Sequence, residues 1–379
     1  MSKKNILIIT GTRADFGLLE PTILELRKSN KLEPKLLVTG MHTLKKFGST
    51  VGYIRSKGYK IDFVVSIGPK DDMIQSLNKE INGIHKYCKQ NKIDFMLLLG
   101  DRDEMLAGAI VAGHIGIPIA HIHGGDLTGY VVDEAIRHAI TKFSNLHFTA
   151  SKSSYGRVIS LCEEKWRVFN VGAVGLDLVK NTNFKTKKEL SDEFKLDNQK
   201  KWFIVLHHPT PLDPESPKDQ ICPLMKSVEE EDCEKIVIYP NSDTGSNQFI
   251  KEINKYKNKK TFYIFKNLPR ESYLSFLKVS DLLIGNSSSG IIESTYFKIP
   301  VINIGNRQKN REHAENVINS GYNLKSIKLA IKKASSNLFK DKCNRSKSPY
   351  GCGNASKNIV KQIEKNIDRK NLLFKEFIN

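Results

Sequence analysis

Long apolar runs are missing from this chain: nowhere in its 379 residues do 18 or more apolar side chains follow one another, which argues against a helical membrane span. The N-terminus also lacks the pattern of a cleaved leader. MSKKNILIITG reads instead as a strand running into a glycine turn, so a cytoplasmic protein with no membrane partner is expected. Cysteine is sparse and scattered. Cys88, Cys162, Cys222, Cys233, Cys343 and Cys352 show neither CxxC zinc spacing nor the density of a secreted disulfide scaffold, and free thiols are expected. Neither GxGxxG nor a GxxxxGK run ending in Ser or Thr occurs, so neither a dinucleotide fingerprint nor a P-loop is claimed. No internal repeat or low-complexity segment is evident.

What is present is an ordinary globular composition, 39% apolar and 27% charged, which excludes a fibre or a disordered tail. The length suggests two domains. Lys and Arg number 60 against 41 Asp and Glu, a formal net charge of +19, and the last 56 residues hold 14 of the former and 4 of the latter. Those lysines are spread along helix-like sequence and no nucleic-acid motif accompanies them. The charge reads as a general pull on an anionic substrate rather than as a nucleic-acid footprint.

Short apolar runs alternate with longer amphipathic stretches, the pattern of βαβ units and a parallel sheet. Strands are expected at Asn5–Thr10, Lys35–Val38, Phe63–Val65, Phe95–Leu99, Pro118–His121 and Leu146–Phe148, then in a second series at Trp202–Leu206, Lys235–Tyr239, Thr261–Phe265, Leu282–Ile284 and Pro300–Asn303. Asn181–Lys201, polar and poor in apolar residues, separates the two series. The expected fold class is α/β, with two Rossmann-like doubly wound domains facing a central cleft. The domains would be residues 1–175 and 176–354, and a last helix near Ala355–Phe374 in residues 355–379 would pack back across them.

Several strand-end loops concentrate polar residues. Gly11-Thr12-Arg13-Ala14-Asp15-Phe16-Gly17 suits an anionic group at a helix start, although a plain strand-to-helix turn with a solvated Arg13 fits equally. Gly100-Asp101-Arg102-Asp103-Glu104 ends a buried strand. Asp101 and Arg102 stand earliest in that turn and are the candidates; Asp103 and Glu104 are read as acids favoured at the positive end of the next helix. His121, His123 and Asp126 could be imagined around a metal, but no second cluster with ligand spacing supports them, and no metal or cofactor is expected. Asp133 and Arg137, at i and i+4 on a helix, are either a surface ion pair or a carboxylate tuned by a guanidinium.

In the second half, His207-His208-Pro209-Thr210 and Asn241-Ser242-Asp243-Thr244-Gly245-Ser246 end successive strands. Gly285-Asn286-Ser287-Ser288-Ser289-Gly290 is the most specific local feature, because successive small residues offer backbone N–H groups and hydroxyls to a phosphate. Glu293 is placed to accept from sugar hydroxyls, and Arg307 and Arg311 could supply forked donors to a diphosphate.

Together, GTRADFG at 11–17, GMH at 40–42, GDRDE at 100–104, HIHGGDLTG at 121–129, DEAIRHAITKFSNLHF at 133–148, HHPT at 207–210, PNSDTGS at 240–246, GNSSSGIIE at 285–293, INIGNRQKNRE at 302–312 and SPYGCGNAS at 348–356 resemble the hydrolysing UDP-N-acetylglucosamine 2-epimerases. The resemblance implies two Rossmann-like domains of the GT-B kind, with nucleotide held mainly by the C-terminal one. It also implies loss of UDP from C1 with removal of the C2 proton to give a glycal, then rehydration with inverted C2. Carried over by position, Asp101, Asp133, Arg137 and His208 would be catalytic, with Asp126 a further acid or base where many members carry Glu. Arg13, Asn241, Ser287, Ser288, Glu293 and Arg307 would hold the nucleotide with Ser289 in the same loop; His42 would contact the sugar, and Arg102 joins the binding set. The partners implied are a UDP-sugar substrate, UDP as product, and copies of the chain in a homodimer or homotetramer. Members acting on a UDP- or GDP-linked 2,4-diacetamido-trideoxy sugar of legionaminic acid synthesis share these motifs, so the sugar stays open. A GT-B glycosyltransferase would need the same phosphate loops without a C2 base.

Overall fold

The computed structural model describes every residue except 1, 46–47, 128–130, 242–243, 377 and 379. Its strands are β1 (Lys4–Thr10), β2 (Leu32–Val38), β3 (Phe63–Val64), β4 (Phe95–Leu99), β5 (Ile119–Ile122), β6 (Leu146–Thr149), β7 (Val168–Asn170), β8 (Lys201–Leu206), β9 (Cys233–Ile238), β10 (Phe262–Phe265), β11 (Leu282–Gly285), β12 (Val301–Ile304) and β13 (Val317–Ser320). They form two parallel sheets, one ordered β3-β2-β1-β4-β5-β6-β7 and the other β10-β9-β8-β11-β12-β13. Both are doubly wound. In each, the first strand of the series lies beside the fourth, so the chain winds outward in opposite directions from that pair. Open α/β sheets hold ligands beyond the carboxyl ends of such a pair.

The continuous apolar strands follow from burial on both faces. All five residues of β4 are buried, as are Ile6 to Thr10 of β1, and helices cover the two sides with Phe16, Leu19, Ile23 and Leu26 on one and Met105, Ala109, Ala112 and Ile140 on the other. Burying each such aliphatic side chain contributes roughly 1.5–3 kcal/mol. The second sheet is built the same way around Val205, Val237 and Ile284, with Leu224, Phe249 and Ile331 packed against them.

The chain divides into a unit of Met1–Leu178 with Tyr350–Asn379 and a unit of Val179–Pro349. Its return into the first unit precedes the last helix, because the Ala173 N–H donates to the Tyr350 carbonyl at 2.9 Å. The Asp177 carboxylate then accepts from the N–H groups of Ala355 and Ser356, satisfying the start of helix Ala355–Asn366, whose Ile359, Val360 and Ile363 enter the first core. That helix stops at Asn366, short of the expected Phe374. Beyond it, the Leu372 carbonyl accepts from Arg167 Nη1 at 2.7 Å and Asn145 Nδ2 at 3.1 Å, and Lys375 reaches buried Glu163 at 2.8 Å. Side-chain partners thus replace helix bonds in the tail. The polar stretch 181–201 is likewise more than a connection: it contains helix Lys187–Phe194, capped by Thr186 with Glu189 and anchored by buried Leu190. Among the described residues, no helix is long and apolar enough to cross a membrane.

Candidate active site

In the first unit, the loops after β1, β2, β4 and β5 carry the polar residues. Arg137, 1% exposed on helix Val131–Phe143, ties two of these loops to its own helix: it donates to the Asp101 carboxylate, to the Asp126 carbonyl at 2.6 Å and to Glu134 Oε2 at 2.6 Å. The i,i+4 pair expected with Asp133 is therefore replaced by an i,i+3 pair with Glu134 and a long-range pair with Asp101. Asp133 is half-buried, and no hydrogen bond among the described residues engages its carboxyl group. Burial foremost, then the field of Asp101, pushes its pKa up, with Arg137 and Arg102 opposing. A carboxyl group held above its usual range, beside a guanidinium that fixes a second carboxylate, is an arrangement suited to proton transfer.

Asp126 is fixed from two sides. Its Oδ1 accepts from Ser154 Oγ at 2.7 Å, and its Oδ2 lies 2.9 Å from Nδ1 of His123, a residue with φ of +68° at the end of β5. His121 is buried, with Nε2 2.7 Å from the Gly100 carbonyl and Nδ1 3.1 Å from Thr141 Oγ1; burial pushes it down to about 3, and it serves as a neutral strut between two strand ends. His42 is also fully buried. Its Nε2 lies 3.1 Å from Thr10 Oγ1 and its Nδ1 against Thr50 Oγ1, and burial lowers it to about 4. Both nitrogens are thus engaged within the unit, which sets His42 apart from a residue presented to a sugar.

The loop after β1 is a capping box. Thr12 caps helix Arg13–Lys28, and Asp15 accepts from the N–H groups of Gly11 and Thr12 at 3.1 and 2.9 Å. Buried Asp15 also takes the Thr10 hydroxyl, and burial foremost raises it to about 6. Arg13 itself is exposed, with its guanidinium 4.5 Å from the centre of the Tyr53 ring. Glu104 departs most from expectation. Buried in the first turn of helix Asp103–Ile115, it folds back to accept from Arg102 Nε at 3.0 Å and Nη2 at 2.9 Å. Glu80, on helix Met73–Gln90, is buried against Thr39 Oγ1 and raised to about 8, first by burial and then by Glu104. Sequence reasoning missed Glu80 and Glu134, weighed His123 only as a metal ligand, and read Glu104 as a helix-end acid. The GDRDE run was the available signal for Glu104.

In the second unit, Asn286 ties the loops after β8 and β11. Its Oδ1 accepts from the His208 N–H at 2.7 Å, its Nδ2 donates to the His208 carbonyl at 2.8 Å, and its own carbonyl receives Arg307 Nη1 at 3.2 Å and Gln308 Nε2 at 2.9 Å. His208 Nδ1 accepts from the Asn241 N–H at 3.0 Å, which brings Asn241 beside it and leaves Nε2 to carry the ring proton. Ser242 and Asp243 of that loop lie outside the described residues, as do Thr128 and Gly129 of the HIHGGDLTG segment. Neighbouring His207 is packed against Phe249 and Tyr322, and burial lowers it to about 3.

The serine loop differs from its sequence reading. Ser287 caps a 3-10 turn, Ser288–Gly290, and the N–H groups of Ser289, Gly290, Ile291 and Ile292 all bond within the loop. Hydroxyls rather than a row of open N–H groups are what the turn offers. Ser287 and Ser288 are half-buried, whereas the Ser289 hydroxyl is buried 2.5 Å from the Tyr273 hydroxyl. Glu293 pairs with Arg270, which sequence reasoning also missed. Among the described residues, no group of three or more His, Cys, Asp and Glu could hold a metal ion.

Two doubly wound sheets, each with its polar residues on the loops that follow the central strand pair, define an α/β protein of the GT-B-like kind. Residues 24–364 match the UDP-N-acetylglucosamine 2-epimerase family, and the chain belongs to that family. A UDP-N,N'-diacetylbacillosamine 2-epimerase (hydrolyzing) of Legionella pneumophila is 35% identical over 365 residues, covering 95% of this chain and 96% of the relative. A GDP/UDP-N,N'-diacetylbacillosamine 2-epimerase (hydrolyzing) of Campylobacter jejuni is 34% identical over 385 residues, covering 100% of both. In structure, the chain resembles a UDP-GlcNAc 2-epimerase of Neisseria meningitidis bound to UDP-GlcNAc, with a TM-score of 0.80 at 20% identity over 96% of this chain and 100% of the other.

Proposed function

We propose that the protein is a hydrolysing 2-epimerase of a UDP-linked 2-acetamido sugar, releasing the free 2-epimeric sugar and UDP. With UDP-N-acetylglucosamine the product is N-acetylmannosamine, the precursor type for sialic acids. The observation that carries the reading is the unequal equipment of the two units: paired carboxyl groups fixed or flanked by a buried arginine in the first, hydroxyl, amide, imidazole and guanidinium donors in the second. A C2–H bond with no adjacent carbonyl becomes acidic only as the C1–O bond breaks, so a base must act together with a group that stabilises the departing diphosphate.

In the first step the C1–O electrons leave with UDP, the C2 proton passes to a carboxylate, and the electrons of the C2–H bond form the C1–C2 double bond of a glycal. In the second, water gives one proton to a carboxylate as its oxygen bonds to C1, and the electrons of the double bond take a proton at C2 from the opposite face. Asp101, Asp133 and Asp126 supply the acid and base groups, with Arg137 holding Asp101. Asn241, Ser287, Ser288, Arg307 and Glu293 take the nucleotide, His208 beside them acts in the reaction, and Arg102 takes the anionic group. A second reading, in which a 2,4-diacetamido-trideoxy sugar replaces N-acetylglucosamine, is favoured by the names of the two relatives.

Incubation with UDP-N-acetylglucosamine and its diacetamido analogue in D₂O tests the proposal. Release of the 2-epimer carrying deuterium at C2 is expected from one of them. Release or transfer of the sugar with its original C2 proton and configuration overturns it in favour of a glycosyltransferase or simple hydrolase.

A further inference from the structure

Glu104 is placed at a cost. Its carboxyl group lies so close to the backbone ends of β1 and β2 that a Cβ at Gly11 or at Gly40, the latter with φ of +56°, would collide with Oε1. Its field adds to burial in raising Asp15, Glu80 and Asp103, so three neighbouring acids are harder to ionise because it is there. A glutamine of the same shape would relieve that repulsion. With that repulsion set against its ion pair to Arg102, fold stability alone does not account for a carboxylate here.

Orientation does. Glu104 occupies the Nε and one Nη2 proton of Arg102 at 3.0 and 2.9 Å, which fixes the plane of the guanidinium and turns its remaining three N–H groups outward. The Arg102 side chain is 39% exposed and its partner's 4%, so the pair is anchored at one end and open at the other. Asp133 and His42 both feel the positive charge of Arg102, so the guanidinium lies among the polar loops of the first unit.

We propose that Glu104 is a positioning residue that sets Arg102 to receive the anionic diphosphate of the substrate, with Gly11 and Gly40 providing the space it needs. This rests on the function proposed above. The guanidinium is ordered before substrate arrives, so binding does not have to supply the entropy of freezing a long side chain.

The test uses the full chain, with UDP as the calorimetric probe and UDP-linked sugar for steady-state kinetics. Relative to wild type, Glu104→Gln should weaken UDP binding about tenfold and raise KM by a similar factor, while the thermal midpoint is unchanged or higher. Arg102→Ala should lose at least as much, and adding Glu104→Gln to it should cost nothing further, because the glutamate acts through the arginine. Glu104→Gln binding UDP within twofold of wild type, losing binding together with thermal stability, or multiplying the Arg102→Ala loss would each overturn the assignment. Wild-type protein that neither binds UDP nor processes a UDP-sugar would instead bring down the proposed function and this inference with it.

Discussion

The two units share a winding scheme and differ in how they tie their loops together. In the first, a buried guanidinium, Arg137, joins the ends of β4 and β5 through a carboxylate and a carbonyl. In the second, a neutral amide, Asn286, joins the ends of β8 and β11 by bonding both the N–H and the carbonyl of His208. One tie changes the energy of proton transfer at its neighbours; the other sets geometry alone. The first unit also buries Asp15, Glu80 and Glu104 close together, and the second has no counterpart cluster among its described loops. A single topology can thus carry a charged tie or a neutral one by the choice of a few loop residues.

The sharpest break in that contrast would come from the acids. Asp101→Asn and Asp133→Asn should each lower kcat by about two orders of magnitude or more, with KM nearly unchanged and a circular dichroism spectrum like wild type. Near-wild-type turnover by Asp133→Asn would remove the proton chemistry from the first unit. A smaller effect is expected across the serine turn. Ser288→Ala and Arg307→Ala should raise KM about tenfold at similar kcat, while Ser289→Ala, whose hydroxyl faces Tyr273, should leave KM within about twofold and lower the thermal midpoint.

The smallest effect separates the buried acids from catalysis. Glu80 is held at about 8 in the folded protein, against an ordinary 4.5, so between those values the folded state keeps a proton that the unfolded chain gives up. Stability from this group is present at low pH and declines as pH rises through the window. Glu80→Gln should therefore match wild type in thermal midpoint near pH 4.5 and exceed it by a few degrees near pH 8.5. Equal midpoints at both pH values would show that the carboxyl group is not held protonated.

Much of this was legible in the chain. Phe95–Leu99 was read residue for residue, because a fully buried parallel strand is a continuous apolar run. β7 and β13 were not read: each is an edge strand of three or four residues with partial burial, too short and too polar to stand out. At the candidate site, Asp101 and Ser288 could be nominated because strand-end position is a local property. The roles of Glu104 and Arg137 could not, since each depends on a neighbour brought close by folding. Glu104 lies against glycines some sixty and ninety residues earlier, and Arg137 bypasses its i−4 acid for one 36 residues away. Ser289 shows the converse, a residue chosen by its motif whose hydroxyl is committed elsewhere.

The hydrogen bonds from Ala355 and Ser356 to Asp177, and the Arg167 and Glu163 anchors of the tail, bear on the order of assembly during synthesis. The unit of Val179–Pro349 is encoded as one uninterrupted segment and can complete itself while still near the ribosome. The other unit begins earlier yet closes later, waiting with part of its greasy surface uncovered until helix Ala355–Asn366 has emerged.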